Sequence, residues 1–400
     1  MSADDVILTL NGGSSSVKFA LFAAQGRQDR IASGAVEGIG SANPLLHMTT
    51  AGQAMAATKA VAADHGTAGG LVLAAAERQA AGRRIVAVGH RIVHGGPDFV
   101  RPQRVGPAEI AALRRIVPLD PGHLPVELAL VETAMRRFPA AIQVACFDTA
   151  FHHAMPRIAR LLPIPLRYAA QGVVRYGFHG LSYAFIMTEI ERLDGSEPAQ
   201  GRIVIAHLGS GASLAAVHGG KPIDTSMGFT PASGVPMGTR CGDIDPGLAP
   251  YLARTDAMGI AAFGQMTNFE SGLLGLSETS ADMRDLLARE TSDPRAAEAV
   301  ALFCSAVKQR IGAFAATLGG IDMLVFSGGI GANAPVIRAR ICGGLGFLGI
   351  EVDGGRNASG AALISSDTAA VPVRVMQTDE EIMIARAARD LIATRSVGPL

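Results

Sequence analysis

The sequence predicts an α/β protein of two lobes with a duplicated core, and three glycine-rich turns carry that prediction. Residues 6–10 read as a strand, Asn11-Gly12-Gly13-Ser14-Ser15-Ser16 as a Gly/Ser turn and residues 17–22 as a second strand. Residues 202–227 repeat the arrangement: β-branched Ile203, Val204 and Ile205, the small Gly209-Ser210-Gly211-Ala212-Ser213, then apolar residues 214–217 before Gly219-Gly220. A third turn, Ser327-Gly328-Gly329-Ile330-Gly331-Ala332-Asn333, follows an apolar strand over 323–326. Two such hairpins far apart in one chain imply a duplicated domain. A Gly/Ser turn leaves backbone N–H groups uncovered, so an anionic oxygen approaches closely and is held by fixed dipoles. Alone, the turn over 209–213 reads better as an ordinary hairpin; three glycine turns, each leaving a buried strand, point to a nucleotide in a cleft between two lobes.

Length and composition agree with two lobes. Four hundred residues exceed what one hydrophobic core usually serves, and 48% apolar residues are ample for two. The 35 Lys and Arg balance 35 Asp and Glu without a run of like charge, which argues against a nucleic-acid or anionic-membrane partner. Asp4 and Asp5 stand where a secretory leader would be basic, and no apolar run reads as long enough to cross a bilayer, so a cytoplasmic protein is expected. Cys146, Cys241, Cys304 and Cys342 lack metal-ligand spacing and are expected to be reduced.

Along the chain, residues 34–70 read only as strands and loops, followed by a helix over 67–81. Residues 85–89 form a short buried strand with His90-Arg91-Ile92-Val93-His94-Gly95-Gly96 at its end. In an open α/β sheet ligands sit beyond the carboxyl ends of strands, so Arg91 occupies a binding position; the alternative is a surface arginine. A proline-stiffened loop over 118–125 leads into a helix over 126–137, and a strand over 141–147 ends at Asp148. A carboxylate there suits a magnesium ligand or a general base, or simply caps the turn. His152 and His153 read as structural, because adjacent side chains point in different directions and nothing at ligand spacing partners them.

Residues 176–182 open a helix with Ser182 as its cap, and His179 by itself reads as a core histidine. Arg240 lies in a loop of small residues over 237–247, where packing gives it no reason to be; a fixed guanidinium suits phosphoryl oxygens. Asp245-Pro246 reads as a helix start. The helix Pro294–Leu318 is the clearest, since Val300, Phe303, Val307, Ile311, Phe314 and Leu318 alternate steps of three and four between Asp293-Pro294 and Gly319-Gly320. Residues 344–349 spell G-x-G-x-x-G, but between a helix and a predicted strand over 350–352, the reverse of a dinucleotide site. Thr378 with Glu381 fits a capping box, leaving Glu380 free for another role.

Assembled, these stretches resemble the acetate kinase family along nearly the whole chain: LTLNGGSSSVKF, GHRIVHGG, FDTAFH, RYGFHG, HLGSGAS, MGTRCGDIDPG, SADMRDL, FSGGIGANA and TDEE. The resemblance implies the two-lobed actin-like fold shared with sugar kinases and heat-shock ATPases, each lobe a βββαβαβα core. One lobe would be residues 1–149 completed by a C-terminal helix over 383–400, the other residues 150–382. It implies a homodimer that passes the ATP γ-phosphoryl in line to a short-chain carboxylate, giving an acyl phosphate and ADP with Mg2+ or Mn2+. Asn11 and Glu380 match the metal positions, and Ser14, Ser16 and Lys18 lie around the phosphates. Arg91 matches the carboxylate clamp, with Val93, Gly122, His123, Phe178 and Pro231 around the substrate. Asp148 matches the catalytic acid group; His179 and Arg240 match the pair that stabilises the transferring phosphoryl. The nucleotide contacts fall on His207, Leu208, Gly209, Ser210 and Gly211, on Asp282, Met283 and Arg284, and on Gly329, Ile330, Gly331, Ala332 and Asn333. The chemistry is coherent, since phosphoryl transfer asks mainly for positioning and for charge near the equatorial oxygens, and a carboxylate nucleophile needs no strong base.

Departures from the family pattern cluster at the substrate. Ser210 replaces an Asn and Ala332 a Glu at the nucleotide, whereas Gly122 replaces the leucine that packs against the methyl group of acetate, and Leu124, Leu181 and Tyr183 also differ. A propionate or butyrate kinase with an enlarged pocket is therefore a competing reading, unless one of those three side chains refills the space. A non-catalytic ATP-binding protein of the same fold is a third, opposed by Arg91, Asp148, His179 and Arg240 together.

Overall fold

The computed structural model describes residues 4–13, 15–26, 28–50 and 52–393. The chain divides into two compact units, Met1–Phe151 with Asp379–Leu400, and His152–Thr378. Among the described residues the first unit holds β1 (Asp5–Gly12), β2 (Ser16–Ala23), β3 (Arg30–Glu37), β4 (Leu45–Thr50), β5 (Gln53–Ala54), β6 (Thr58–Lys59), β7 (Arg84–Ile92), β8 (Gln103–Arg104) and β9 (Ile142–Phe147). They form one sheet in the order β5-β4-β3-β2-β1-β7-β9-β8, with β6 on β4. β1 is antiparallel to β2 and parallel to β7, and β7 is parallel to β9.

All eight residues of β1 are buried, as expected of a strand covered on both faces. Val6, Leu8 and Leu10 face the helix His65–Ala80 through Val72, Leu73 and Ala76, and reach Leu130 and Ala134 of the helix Leu124–Arg137. The opposite face takes the helix Glu380–Ala393. Thr9 pairs with Gly89, and a Cβ at Gly89 would lie 2.4 Å from Ile384 Cγ2, so glycine permits this close packing.

The second unit holds β10 (Ile203–Leu208), β11 (Ala212–His218), β12 (Lys221–Thr225), β13 (Met323–Ser327) and β14 (Val373–Val375), in the order β12-β11-β10-β13-β14. Order and strand senses match β3-β2-β1-β7-β9 of the first unit, so the duplication read from the two hairpins is present in the topology. The helix Pro294–Leu318 packs on β10, β11 and β12, capped by Asp293, which accepts from Arg295 N, and closed by Gly319 at φ 70°. Its length and composition reach those of a membrane span, contrary to the expectation from composition. The buried Val300, Phe303, Val307, Ile311 and Phe314 account for the apolarity as that of a core helix.

Several local expectations need correction. β7 runs on through Ile92, so Arg91 lies within the strand. Ser182 is not a cap: the helix is Gly180–Asp194, and Ser182 is buried in its first turn. The helix expected at Asp245-Pro246 begins only at Leu248, because Asp245 accepts instead from Gly247 N at 2.6 Å. The strand expected over 350–352 reduces to a bridge between Val352 and Ser365, while residues 346–348 form a 3-10 turn. Asp379, not Thr378, caps the last helix, accepting from Ile382 N at 3.0 Å. The third glycine turn is the short helix Gly328–Asn333.

Candidate active site

In the first unit β1 and β2 close at a tight turn, Gly13 N donating to Ser16 O at 2.7 Å. Parallel pairing of β7 with β1 and of β9 with β7 brings Asn11, Arg91 and Asp148 to one end of the sheet. Arg91 Nε and Nη2 donate to Asp148 Oδ2 at 3.1 and 2.5 Å, and Nη1 donates to Asn11 Oδ1 at 3.3 Å. Glu380, the first residue of the last helix, accepts from Asn11 Nδ2 at 3.1 Å and lies 3.6 Å from Arg91 Nε. The Asp148 side chain is 0% exposed and that of Arg91 14%. Burial by itself would weaken the guanidinium's hold on its proton, but Asp148 and Glu380 outweigh it and keep Arg91 charged well above its ordinary range. A permanent cation is thus fixed along one edge by a buried carboxylate, as recognition of a planar anion requires.

Glu127 completes this end of the sheet. It is buried on the helix Leu124–Arg137, and its two oxygens lie 3.2 and 3.0 Å from Val93 N, which donates to them. Burial pushes its carboxyl up to about 8, opposed by Arg91. Val93 is itself buried.

In the second unit the turn between β10 and β11 is held by Gly209 N donating to Gly211 O at 3.0 Å. A Cβ at Gly211 would lie 3.4 Å from His179 Nε2 and 3.7 Å from Arg240 Nη1, so both side chains converge on this turn. His179 adopts φ 59°, a conformation uncommon outside glycine, at the start of its helix. Its Nδ1 lies 2.8 Å from Ser213 Oγ, which also lies 2.5 Å from the Tyr183 hydroxyl. Burial raises the Tyr183 phenol, so the hydroxyl stays protonated. The His179 ring stands 4.7 Å from that of His207, whose Nδ1 is 3.1 Å from Ser327 Oγ. Arg240 Nη1 donates to Pro231 O at 3.2 Å. Its loop is pinned by Gly238 N to Ser210 O, Met237 N to Arg240 O and Cys241 N to Thr267 O. A guanidinium, an imidazole and bare backbone around one glycine form a setting for phosphoryl oxygens.

The third turn packs on the end of β10. Gly328 has φ 75°, and a Cβ there would lie 2.5 Å from Leu208 O, so only glycine fits. Arg338, fully buried, donates from Nη1 to Gly331 O and Ala332 O at 2.9 Å each and from Nε to Asn357 Oδ1 at 2.8 Å. Asn333 Nδ2 donates to Gly329 O at 2.9 Å.

Other expected positions are simpler. Ser16 is half-buried, Lys18 is exposed, and Ser14 lies outside the described residues. Phe178 is buried, its carbonyl 2.9 Å from His152 Nε2, and burial brings His152 down to about 4, in keeping with a structural histidine. His123 Nδ1 lies 2.9 Å from Asp120 Oδ1. Gly122 is exposed, and a Cβ there would meet only Asp120 Oδ1 at 3.9 Å. Asp282 caps the helix Met283–Arg289 and binds Arg284, Nη2 to Oδ2 at 2.6 Å; Met283 is buried beneath them. Among the described residues no cluster of three or more His, Cys, Asp or Glu could hold a metal. Asn11 and Glu380 provide two hard oxygen donors, which fit a Mg2+ that keeps water and phosphate oxygens as its other ligands but not an all-protein cage.

Sequence reading passed over Glu127, Ser213 and Arg338. Two of them carried a signal: Glu127 falls in step with Leu124, Leu128 and Val131, and Arg338 with Ile337, Ile341 and Cys342, so each interrupts the buried stripe of its helix. Ser213 gave none, being one small residue among others in its turn.

Comparison with known proteins places these features in one family. The sequence model of the Acetokinase family matches residues 6–386. An acetate kinase from Nitrobacter hamburgensis is 44% identical, over 98% of this chain and 97% of its own. A propionate kinase from Citrobacter rodentium is 42% identical over 95% of each chain. The crystal structure of Porphyromonas gingivalis acetate kinase matches at a TM-score of 0.87 and 35% identity, covering 97% of this chain and all of that one. The matches span both units and every glycine turn described above, and the chain belongs to the acetokinase family.

Proposed function

We propose that this protein is a carboxylate kinase that transfers the γ-phosphoryl group of ATP, reversibly and in line, to acetate or a related short-chain acid. The observation that carries the reading is the Arg91–Asp148 pair. Nucleotide binding alone has no use for a buried guanidinium fixed by a buried carboxylate beside Asn11, whereas a carboxylate acceptor needs one. In this reading Arg91 holds the acceptor carboxylate, Val93, Phe178 and Pro231 bound its apolar part, and Asp148 keeps Arg91 oriented. His179 and Arg240 bind the phosphoryl oxygens as charge develops on them, with Ser213 and Tyr183 fixing the imidazole. Backbone N–H groups at Ser210 and Gly211, in a turn closed by Gly209 N on Gly211 O, and at Gly329 to Asn333 receive the nucleotide. Asn11 and Glu380 would hold Mg2+, which when bound supplies positive charge shared among the phosphates. The working form is taken to be a homodimer, an expectation that rests on family resemblance, and its cytoplasmic location is an expectation from composition.

A longer acid is favoured as a second reading by the state of the side chains that could refill the space at Gly122. Of the three, Leu124 is packed in the core with Ile92, Leu128 and Phe147, and Tyr183 is buried with its hydroxyl on Ser213, which leaves Leu181, buried on the helix Gly180–Asp194, as the one that would refill it. The test is a panel of carboxylates of increasing length, assayed with ATP and Mg2+ for hydroxamate formation. Acid-dependent acyl phosphate supports the proposal, and its absence across the panel overturns it.

A further inference from the structure

We infer that Glu127 is a positioning residue for acceptor binding: its buried carboxyl holds the backbone at Val93, directly after the strand that carries Arg91. The inference rests on the carboxylate kinase reading and adds to it a residue that never touches the substrate. Both Glu127 oxygens receive the Val93 N–H, at 3.2 and 3.0 Å, from a helix that is otherwise apolar toward the sheet. Its Cγ lies 3.9 Å from where a Cβ on Gly12 would stand, so the same side chain also backs the first glycine hairpin. Among the described residues no cation forms a salt bridge with it, although its environment is dense in charge. Arg91 faces it from β7, Asp148 from the end of β9 and Asp120 from the loop before its own helix. His94 lies near Asp120, His123 bonds to Asp120, and Glu380 stands at Arg91.

A buried carboxylate that accepts one amide hydrogen is an unusual choice where a neutral amide would serve. Its electrostatic consequence is specific. Asp148 and Glu380 together already outweigh the single charge of Arg91, so a third carboxylate at Glu127 would add directly to the repulsion an incoming acid meets. Burial holds the Glu127 proton up to about 8, so the side chain is neutral through the lower part of the physiological range and ionises above it. Acceptor affinity should fall as pH passes about 8, while ATP, bound by other groups, is spared.

The experiment compares wild type, Glu127→Gln and Glu127→Leu in the full chain. It reads KM for the acid, KM for ATP and kcat from pH 6.5 to 9, and hydrogen exchange of the peptide over residues 91–96. Gln keeps an oxygen for Val93 N but has no titrating proton. It should match wild type at pH 7 within about twofold and lack the rise in acid KM above pH 8. Leu should raise acid KM about tenfold or more, leave ATP KM within about twofold, and speed exchange over 91–96. If Gln shows the same alkaline rise as wild type, or Leu leaves both acid KM and exchange unchanged, the inference is overturned. Failure of wild type to turn over any acid is a different result: it overturns the kinase reading and with it the acceptor role, while exchange still reports whether Glu127 holds Val93.

Discussion

Substrate length should be set at Gly122. This position is exposed and lies outside the left-handed region, and a Cβ placed on it would meet no atom closer than 3.9 Å, so the backbone and the first carbon of Gly122→Leu are accommodated without strain. In the wild type the four carbons that a leucine would contribute are missing, and Leu124 and Tyr183 are committed to packing elsewhere, so the space stays open unless Leu181 fills it. One additional methylene on the substrate is worth about 0.8 kcal/mol by transfer, or about fourfold in kcat/KM, and roughly 1 to 3 kcal/mol in a well-formed enzyme pocket. Wild type is therefore expected to favour propionate over acetate by about fourfold or more, and Gly122→Leu to lower that ratio by at least the same factor. The assay is kcat/KM for acetate, propionate and butyrate under one ATP and Mg2+ condition, with the thermal midpoint as a control for folding. A tenfold preference for acetate in wild type, together with an unchanged ratio in Gly122→Leu, would refute the reasoning.

Other outcomes follow from the same geometry. Arg240→Ala should lower kcat by about three orders of magnitude with ATP KM nearly unchanged, as for a group that acts on the transition state; a loss under tenfold removes it from that role. Glu380→Ala should raise the Mg2+ concentration for half-maximal rate, whereas Asp379→Ala should leave it alone and cost about 1 kcal/mol of stability through the lost helix cap, read by urea titration. An unchanged Mg2+ requirement in Glu380→Ala would exclude it as a ligand. His90 and His152 are buried and brought down to about 4 from an ordinary 6.5, so the unfolded chain binds their protons first as pH falls. Their contribution is whole above about 6.5 and is lost toward 4, about 3 kcal/mol each at most; a urea midpoint that does not move between pH 7 and 4.5 would contradict this.

The parts of the fold visible in sequence were those fixed by local rules. The helix Pro294–Leu318 was legible end to end because its period, its Asp-Pro start and its Gly-Gly stop all agree. The hairpins at Gly12 and Gly209 were legible because small residues interrupt buried strands. Errors arose where two local signals competed. Asp245 and Asp379 both have short carboxylates near a helix start, and only the folded chain decides that one closes a turn on Gly247 while the other caps. For the candidate site, residue types were legible and partnerships were not. Nothing in the spacing of 91 and 148 announces that one guanidinium will be bound by the other's carboxylate, since that follows from parallel pairing across three strands. Glu127 and Arg338 were detectable in principle, as charges in step with an apolar stripe.

In the proposed reading, the duplicated topology carries different chemistry in its two units. β7 and β13 occupy equivalent places, each parallel to the first strand of its own sheet. Near its carboxyl end β7 presents Arg91, a long side chain that can reach a small acid and be oriented by Asp148 from the neighbouring strand. β13 ends instead at Ser327 and is followed by Gly328, where any Cβ would strike Leu208 O, so in this reading the main chain itself is the surface offered. A small carboxylate has few atoms to grasp, and side-chain charge is the efficient way to hold it. A polyphosphate presents many oxygens and can be met by a series of backbone dipoles. Arg338 supports that main chain from within: its buried guanidinium satisfies the carbonyls of Gly331 and Ala332 where no solvent could. One sheet order therefore serves both tasks, with the division of labour decided by what stands at the end of a single strand.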